Sequence, residues 1–162
     1  MQLLPLKLPT THPLQWSNPL MTFAHTKPNN IPAITSLLNR SYRGDSSRTG
    51  WTTEADLLSG KRIDEAGLVQ LLNDSDSLIL IAQSDDTITA SIHARREGGS
   101  VHFGLFAVEP TQQNRGIGKE LLAYAQSQAI QKWEVHTAIM EVITQREDMD
   151  CKNQFTAISG SL

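Results

Sequence analysis

Cysteine is almost absent from the chain: Cys151 stands alone, so no internal disulfide can form, which fits a reducing cytoplasm. Long apolar runs are also missing. No window approaches the roughly 18 to 20 apolar residues of a membrane-spanning helix. The leucine-rich opening MQLLPLKLPTTHPLQWSNPL is broken by Pro5, Lys7 and Pro9 before a signal-peptide core can form. Residues 1–20 therefore read as a poorly ordered extension, and the compact part begins near Met21, which also offers an alternative start. There is no excess of positive charge. Fourteen Lys and Arg against 17 Asp and Glu leave a net charge of −3, with no basic run to track a phosphate backbone, so nucleic acid is a poor candidate partner. The histidines show no ligand spacing and one cysteine makes no cluster, so no metal is expected.

What remains is a chain of 162 residues with 39% hydrophobic content, enough for one domain with a true core. Thr22 to His25 is a short candidate strand. In PNNIPAITSLLNRSY, Asn30 is the candidate N-cap of a helix that places Ile31, Ile34, Leu37 and Leu38 on one face. Two short helices are predicted over Thr52 to Leu58 and Asp64 to Leu72. The uninterrupted run SLILIAQ, Ser77 to Gln83, reads as a central strand. Thr87 to Glu97 alternates Ile88, Ala90, Ile92 and Ala94 with polar residues, the pattern of a hairpin partner with one wet face. Ser100 to Val108 extends this meander, a helix begins near Gly116, and His136 to Ile143 is a further strand reached by a helical crossover. The fold class that follows is α/β, with a mixed, mostly antiparallel central sheet flanked by helices.

Gly116 and Gly118 then raise a chemical question, because glycine is costly in a helix and these two open one. Ile117, Leu121, Leu122, Ala125 and Ala129 form its buried stripe. The first turn of any helix leaves N–H groups without partners and gathers about half a positive charge. Without side chains at 116 and 118 a phosphate can approach those groups, and Arg115 and Lys119 flank the turn. The competing reading is that both glycines only let the helix pack closely on the strand. Other phosphate motifs fit badly: a dinucleotide fingerprint needs glycine where Leu121 stands, and a Walker loop needs Ser or Thr where Glu120 follows Lys119.

VEPTQQNRGIG resembles the acyl-CoA-binding signature of the GNAT (Gcn5-related) N-acetyltransferases, in which Gln or Arg is followed after two residues by Gly, and one residue later by Gly or Ala. Here these are Gln113, Gly116 and Gly118. SYRGDSSRTGWTTEADLLSGKRID and AIMEVITQRED are similar to stretches of a poorly characterised subgroup. The resemblance covers about Thr22 to Asp148, and the domain is placed at residues 21–150, followed by an atypical tail at 151–162.

The resemblance implies the acyl-CoA N-acyltransferase fold and an acetyl-CoA-dependent transfer to a primary amine by direct attack, so Cys151 is not needed as a nucleophile. It implies that backbone groups of Phe106 and Val108 bond the pantetheine arm. Gln113, Asn114, Arg115, Gly116, Ile117, Gly118 and Lys119 would hold the pyrophosphate, and a main-chain N–H near Val108 would polarise the thioester carbonyl. An amine of pKa about 10 needs a general base. Glu141 is the first candidate, Glu54 the second and His102 the third, each with an ordinary surface role as its competitor. Tyr42, Arg43, Trp51 and Arg62 lie where the family covers its acceptor, and their aromatic and cationic groups would bind a ring or a carboxylate.

The tail departs from the family. Members usually continue with a helix bearing a tyrosine that protonates the departing thiolate, then two more strands. Here MDCKNQFTAISGSL follows, with no tyrosine after Tyr124. The 19 residues beyond Ile143 suffice for one element such as a strand over QFTAIS, so the last strands of the fold are expected to be missing and the last strand to expose an edge that favours a homodimer. A catalytically weak acyl-CoA binder and a non-enzymatic oligomeric interaction domain remain as alternatives to the enzyme.

Overall fold

The computed structural model describes residues 20–43, 63–144 and 154–161, with side chains for 20–41 and 63–140. Continuous apolar sequence at the centre of the chain becomes a strand with both faces covered. The run from Ser77 forms β2 (Ser77–Ser84), in which Leu78, Leu80 and Ala82 belong to one core cluster while Ile79 and Ile81 belong to another. A strand buried on both sides has no need to alternate.

Six strands make one sheet in sequence order: β1 (Met21–His25), β2, β3 (Thr87–Glu97), β4 (Ser100–Val108), β5 (Thr137–Thr144) and β6 (Gln154–Ser161). Every pairing is antiparallel except β4 with β5, which is parallel and reached through the crossover helix α3 (Ile117–Trp133). On one face α3 buries Ile117, Leu121, Ala125 and Ala129 against Leu80, Ile92, Val101 and Phe103. On the other, α1 (Ile31–Arg43) buries Ile31, Ile34, Leu37 and Leu38, joined by Leu68 of α2 (Glu65–Asn73), over Ile79, Ile81 and Ala107. Each such Leu or Ile contributes roughly 1.5–3 kcal/mol by leaving water.

Three expectations change. The polar face of β3 is not wet: Thr89, Ser91 and His93 are all buried, and α1 packs against this strand. Asn30 does not cap α1. It closes a 3₁₀ turn, Pro28–Asn30, and its carboxamide oxygen accepts from the Lys27 N–H at 2.9 Å. Asp64 caps α2, its carboxylate accepting from the Gly67 N–H at 2.8 Å. Third, β5 is not an edge: β6 pairs with it along its whole length, from Thr137↔Ser161 to Thr144↔Gln154. The strand expected over QFTAIS is present, and among the described residues it forms the outer edge of the sheet. The helix predicted over Thr52 to Leu58 lies outside the described residues.

The buried polar face of β3 carries one titratable group. His93 Nε2 and Ser77 Oγ are 2.5 Å apart, and the imidazole is held down to a pKa of about 4, chiefly by burial and secondarily by the nearby Arg95, against the opposing pull of Asp74. The unfolded chain, with the ordinary value of 6.5, binds this proton first. His93 therefore supports the fold in full above pH 6.5, and that support is lost as the pH falls toward 4. Urea denaturation should show wild-type stability falling over this window by on the order of 3 kcal/mol more than in His93→Gln, whose amide keeps a partner for Ser77 but does not titrate. Parallel pH profiles for the two proteins would show that His93 is already protonated in the native state.

Candidate functional site

The parallel ladder between β4 and β5 is short. It runs from Ser100↔Thr137 to Phe103↔Met140 and then stops. The cause lies on β4. Between the pairs His93↔Gly104 and Ser91↔Ala107 the register with β3 shifts, and within that bulge Leu105 takes a left-handed backbone with φ 44°. A leucine in that region is strained, and a bulge bends its strand away from the neighbour it was following. Beyond Phe103 the two strands part, β4 toward Val108 and β5 onward with β6 as its partner.

Backbone alternation decides what faces the gap. The Glu109 N–H donates to Thr89 O on β3 at 2.7 Å, and Ala107 pairs with Ser91, so the intervening Val108 turns its N–H and C=O to the side that β5 has vacated. The Val108 carbonyl is occupied, accepting from Gln113 Nε2 at 3.1 Å.

The wedge opens onto the start of α3. A groove of about 320 Å³ is lined by Phe106, Val108, Gln113, Asn114 and the turn from Gly116 to Lys119, along with Gln112 and Leu122. Of the nine residues expected to hold the cofactor, only Arg115 stands outside the lining. Gln112 and Leu122 were missed. Leu122 follows Gly118 by four residues, a spacing that puts both on one helical face and could have found it. The helix has no side-chain cap at Gly116, and its first backbone bond runs from the Glu120 N–H to Gly116 O. The N–H groups before Glu120 therefore have no acceptor within the helix, and they gather the positive end of the helix dipole at the groove.

The two glycines serve different ends. Gly116 has φ 81° and open space where a Cβ would sit, so it is required for its left-handed backbone. At Gly118 a Cβ would lie 3.2 Å from Phe106 Cζ and 3.3 Å from Val108 Cγ2, so this glycine lets the helix sit down on β4. The packing reading is correct for Gly118. The groove exists because of both.

The other candidates are placed as follows. The backbone of Glu141 is the first position of β5 after the last pair with β4, at the mouth of the wedge, and its side chain lies outside the described residues. Tyr42 and Arg43 occupy the last turn of α1, again with undescribed side chains. Glu54, Trp51 and Arg62 lie outside the described residues. His102 is a correction. It sits near the opposite end of β4, paired with Ile139 and 3.4 Å from Glu97 at the β3–β4 hairpin, so it is not in the wedge. Tyr124 is turned away as well: its ring centroid is 5.7 Å from that of Phe23 on β1, and burial raises its pKa. Among the described residues no cluster of metal-ligating side chains occurs, and no helix is long and apolar enough to cross a membrane.

Comparison with known proteins gives the following. A family model described as an acetyltransferase (GNAT) domain matches residues 51–147. PaiA N-acetyltransferase from Thermoplasma acidophilum, solved with coenzyme A, superposes with a TM-score of 0.68 at 17% identity, over 88% of this chain and 99% of that one. The ribosomal-protein-S18-alanine N-acetyltransferase of Escherichia coli superposes at 0.58 and 16% identity, over 78% and 70%. Salmonella typhimurium yncA, solved with acetyl-CoA, superposes at 0.59 and 17% identity, over 78% and 72%. No curated protein sequence matches significantly.

The division of labour between the glycines is measurable. Gly116→Ala should cost about 1–2 kcal/mol of stability through backbone strain alone, and Gly116→Asn clearly less, since asparagine tolerates the left-handed region. Equal costs for Ala and Asn in denaturant titrations would mean that side-chain volume, not backbone, excludes other residues there.

Proposed function

The chain belongs to the GNAT acetyltransferase family and has its mixed α/β fold, and from that premise we propose that it moves an acetyl group from acetyl-CoA to a primary amine of a small molecule or a protein. One observation carries the reading. The uncapped N-terminus of α3 and the vacated side of Val108 meet in a single groove, so a pyrophosphate and a thioester carbonyl find donors within one binding path.

In this reading the N–H groups from Gly116 to Lys119 hold the pyrophosphate, with Lys119 and Arg115 adding charge. The pantetheine arm runs along Phe106 and Val108 as an added strand would. The acceptor nitrogen attacks the thioester carbonyl carbon from the β5 side. As the C–N bond forms, negative charge moves onto the carbonyl oxygen, where the Val108 N–H is aimed. A general base takes one proton from the ammonium before the attack, which leaves the nitrogen a lone pair; the C–S bond then breaks, and the surplus proton on nitrogen passes through water to the thiolate. Glu141 is proposed as that base from its place at the mouth of the wedge, with Glu54 as the second candidate. Tyr42, Arg43, Trp51 and Arg62 are proposed to contact the acceptor.

A weak or inactive acyl-CoA binder is the second reading, favoured by a specific feature: no tyrosine follows Tyr124, and Tyr124 itself packs against Phe23 rather than at the groove. A homodimer paired through the outer edge of β6 is also proposed. Sedimentation velocity should show a dimer at micromolar concentration, and a monomer throughout would remove it.

The melting temperature with and without acetyl-CoA tests the main proposal, beside Lys119→Glu. That residue is exposed and its replacement leaves the turn's backbone intact, unlike any substitution at Gly116. Ligand at about 100 times its dissociation constant adds roughly 2.7 kcal/mol to the wild type. The variant should need about tenfold more ligand for the same shift, in keeping with a charge reversal at a helix N-terminus. Release of CoA thiol with a panel of amines then separates enzyme from binder. A wild type that melts cooperatively with no shift at millimolar acetyl-CoA would end both readings.

A further inference from the structure

The Val108 N–H can act on a carbonyl only if its direction is fixed, and the structure fixes it from three sides. On the β3 side, Thr89 O accepts from the Glu109 N–H at 2.7 Å. On the loop side, Gln113 Nε2 donates to Val108 O at 3.1 Å. From α1, Ser41 Oγ lies 3.5 Å from that same oxygen. The adjacent residue of α1 holds the next residue of the chain: Arg40 Nη2 meets Glu109 Oε2 at 2.6 Å and Arg40 Nε meets Glu109 Oε1 at 3.4 Å, a two-point pair. Arg40 is itself steadied by Ser36 Oγ at 3.0 Å from Nη1. The peptide between Val108 and Glu109 is thus gripped by a strand, by the turn that leads into α3, and by two consecutive residues on the last full turn of α1.

We propose that Arg40 and Glu109, with Gln113, form a clamp that sets the direction of the Val108 N–H, and that this clamp lets the site prefer acetyl-CoA over CoA. The inference rests on reading the groove as an acetyl-CoA site. Its logic is geometric. A residue's N–H and C=O in a strand point to the same side, so holding the Val108 carbonyl and the following peptide fixes the N–H on the vacated side of β4. CoA has no acetyl carbonyl to accept that bond. The difference in affinity between the two ligands therefore contains the bond to the Val108 N–H, whereas contacts to the rest of CoA cancel. Arg40 and Glu109 are positioning residues. Their link also joins α1, whose next residues are Tyr42 and Arg43, to the cofactor turn, so the two substrate sides are held as one body. In this light the signature residue Gln113 acts on the protein's own backbone.

Calorimetric titration of the full chain with acetyl-CoA and with CoA tests this, using wild type, Arg40→Met, Glu109→Gln and the exchanged pair Arg40→Glu with Glu109→Arg. Wild type should favour acetyl-CoA by about fivefold, what one ordinary hydrogen bond contributes. Each single variant should lose most of that preference while its CoA affinity stays within about twofold of wild type, since the pyrophosphate site is untouched. The exchanged pair should regain it. Arg40 is partly exposed, and Glu109→Gln keeps the side chain's size, so folding is retained in at least one variant. Parallel weakening toward both ligands would reduce the pair to a general structural role, and unchanged affinities would deny it any role. A wild type that binds both ligands equally would overturn the clamp while leaving the CoA site standing, whereas a wild type that binds neither would overturn the proposed function itself.

Discussion

Two neighbouring strands that begin as partners and then separate expose backbone donors and acceptors that must be satisfied by something. β4 and β5 do this after Phe103 and Met140, and the remaining features of the site follow from that parting. β5 can leave because β6 pairs with its other edge throughout. β4 can leave because the bulge at Leu105 bends it and because β3 continues to hold it as far as Val108. The strain of a left-handed leucine, of order 1–3 kcal/mol, persists because both neighbouring ladders determine the chain around it. Had the ladder continued, Val108 would face a strand instead of a groove.

The turn from β4 into α3 is built for the same opening. Gln113 folds back onto Val108 and closes the loop; Gly116 supplies a backbone angle that other residues resist; Gly118 allows the helix to descend onto Phe106 and Val108. The outcome is a helix N-terminus delivered to the place where the strands part, with small residues, Ala125 and Ala129, continuing the close approach further along. A helix seated higher on larger side chains would carry its N–H groups away from the wedge. Close packing and the open groove are in this sense one requirement at this turn.

Much of this architecture was legible because it is local. The bounds of β3 and β4 follow from apolar runs and the glycines between them, and the start of α3 from Gly116. What was not legible depends on partners distant in sequence. Thr89, Ser91 and His93 read as a wet face because alternation with polar residues carries no information on whether a helix will lie over them, and α1 does. His102, the third candidate base, shares a strand with Val108, but in that strand six residues are about 20 Å. The parting of β4 from β5 is equally unmarked. Its physical cause, a bulge at a leucine, has no compositional mark. The link from Arg40 to Glu109 joins residues 69 positions apart, beyond the reach of any periodicity.

The absence of a tyrosine after Tyr124 matters less than the family pattern suggests, and the reason is the balance of two protonation costs. A departing thiolate has a conjugate acid of pKa about 8.5, so leaving it unprotonated at pH 7 costs about 2 kcal/mol. An acceptor amine of pKa about 10 must first lose a proton, which at the same pH costs about 4 kcal/mol. In the proposed transfer the larger demand would fall on a general base and the smaller on an acid for the thiolate. Water would meet the smaller demand, since the groove is open to solvent. For the proposed transfer, want of an acid for the thiolate would therefore cost less than want of a base for the amine.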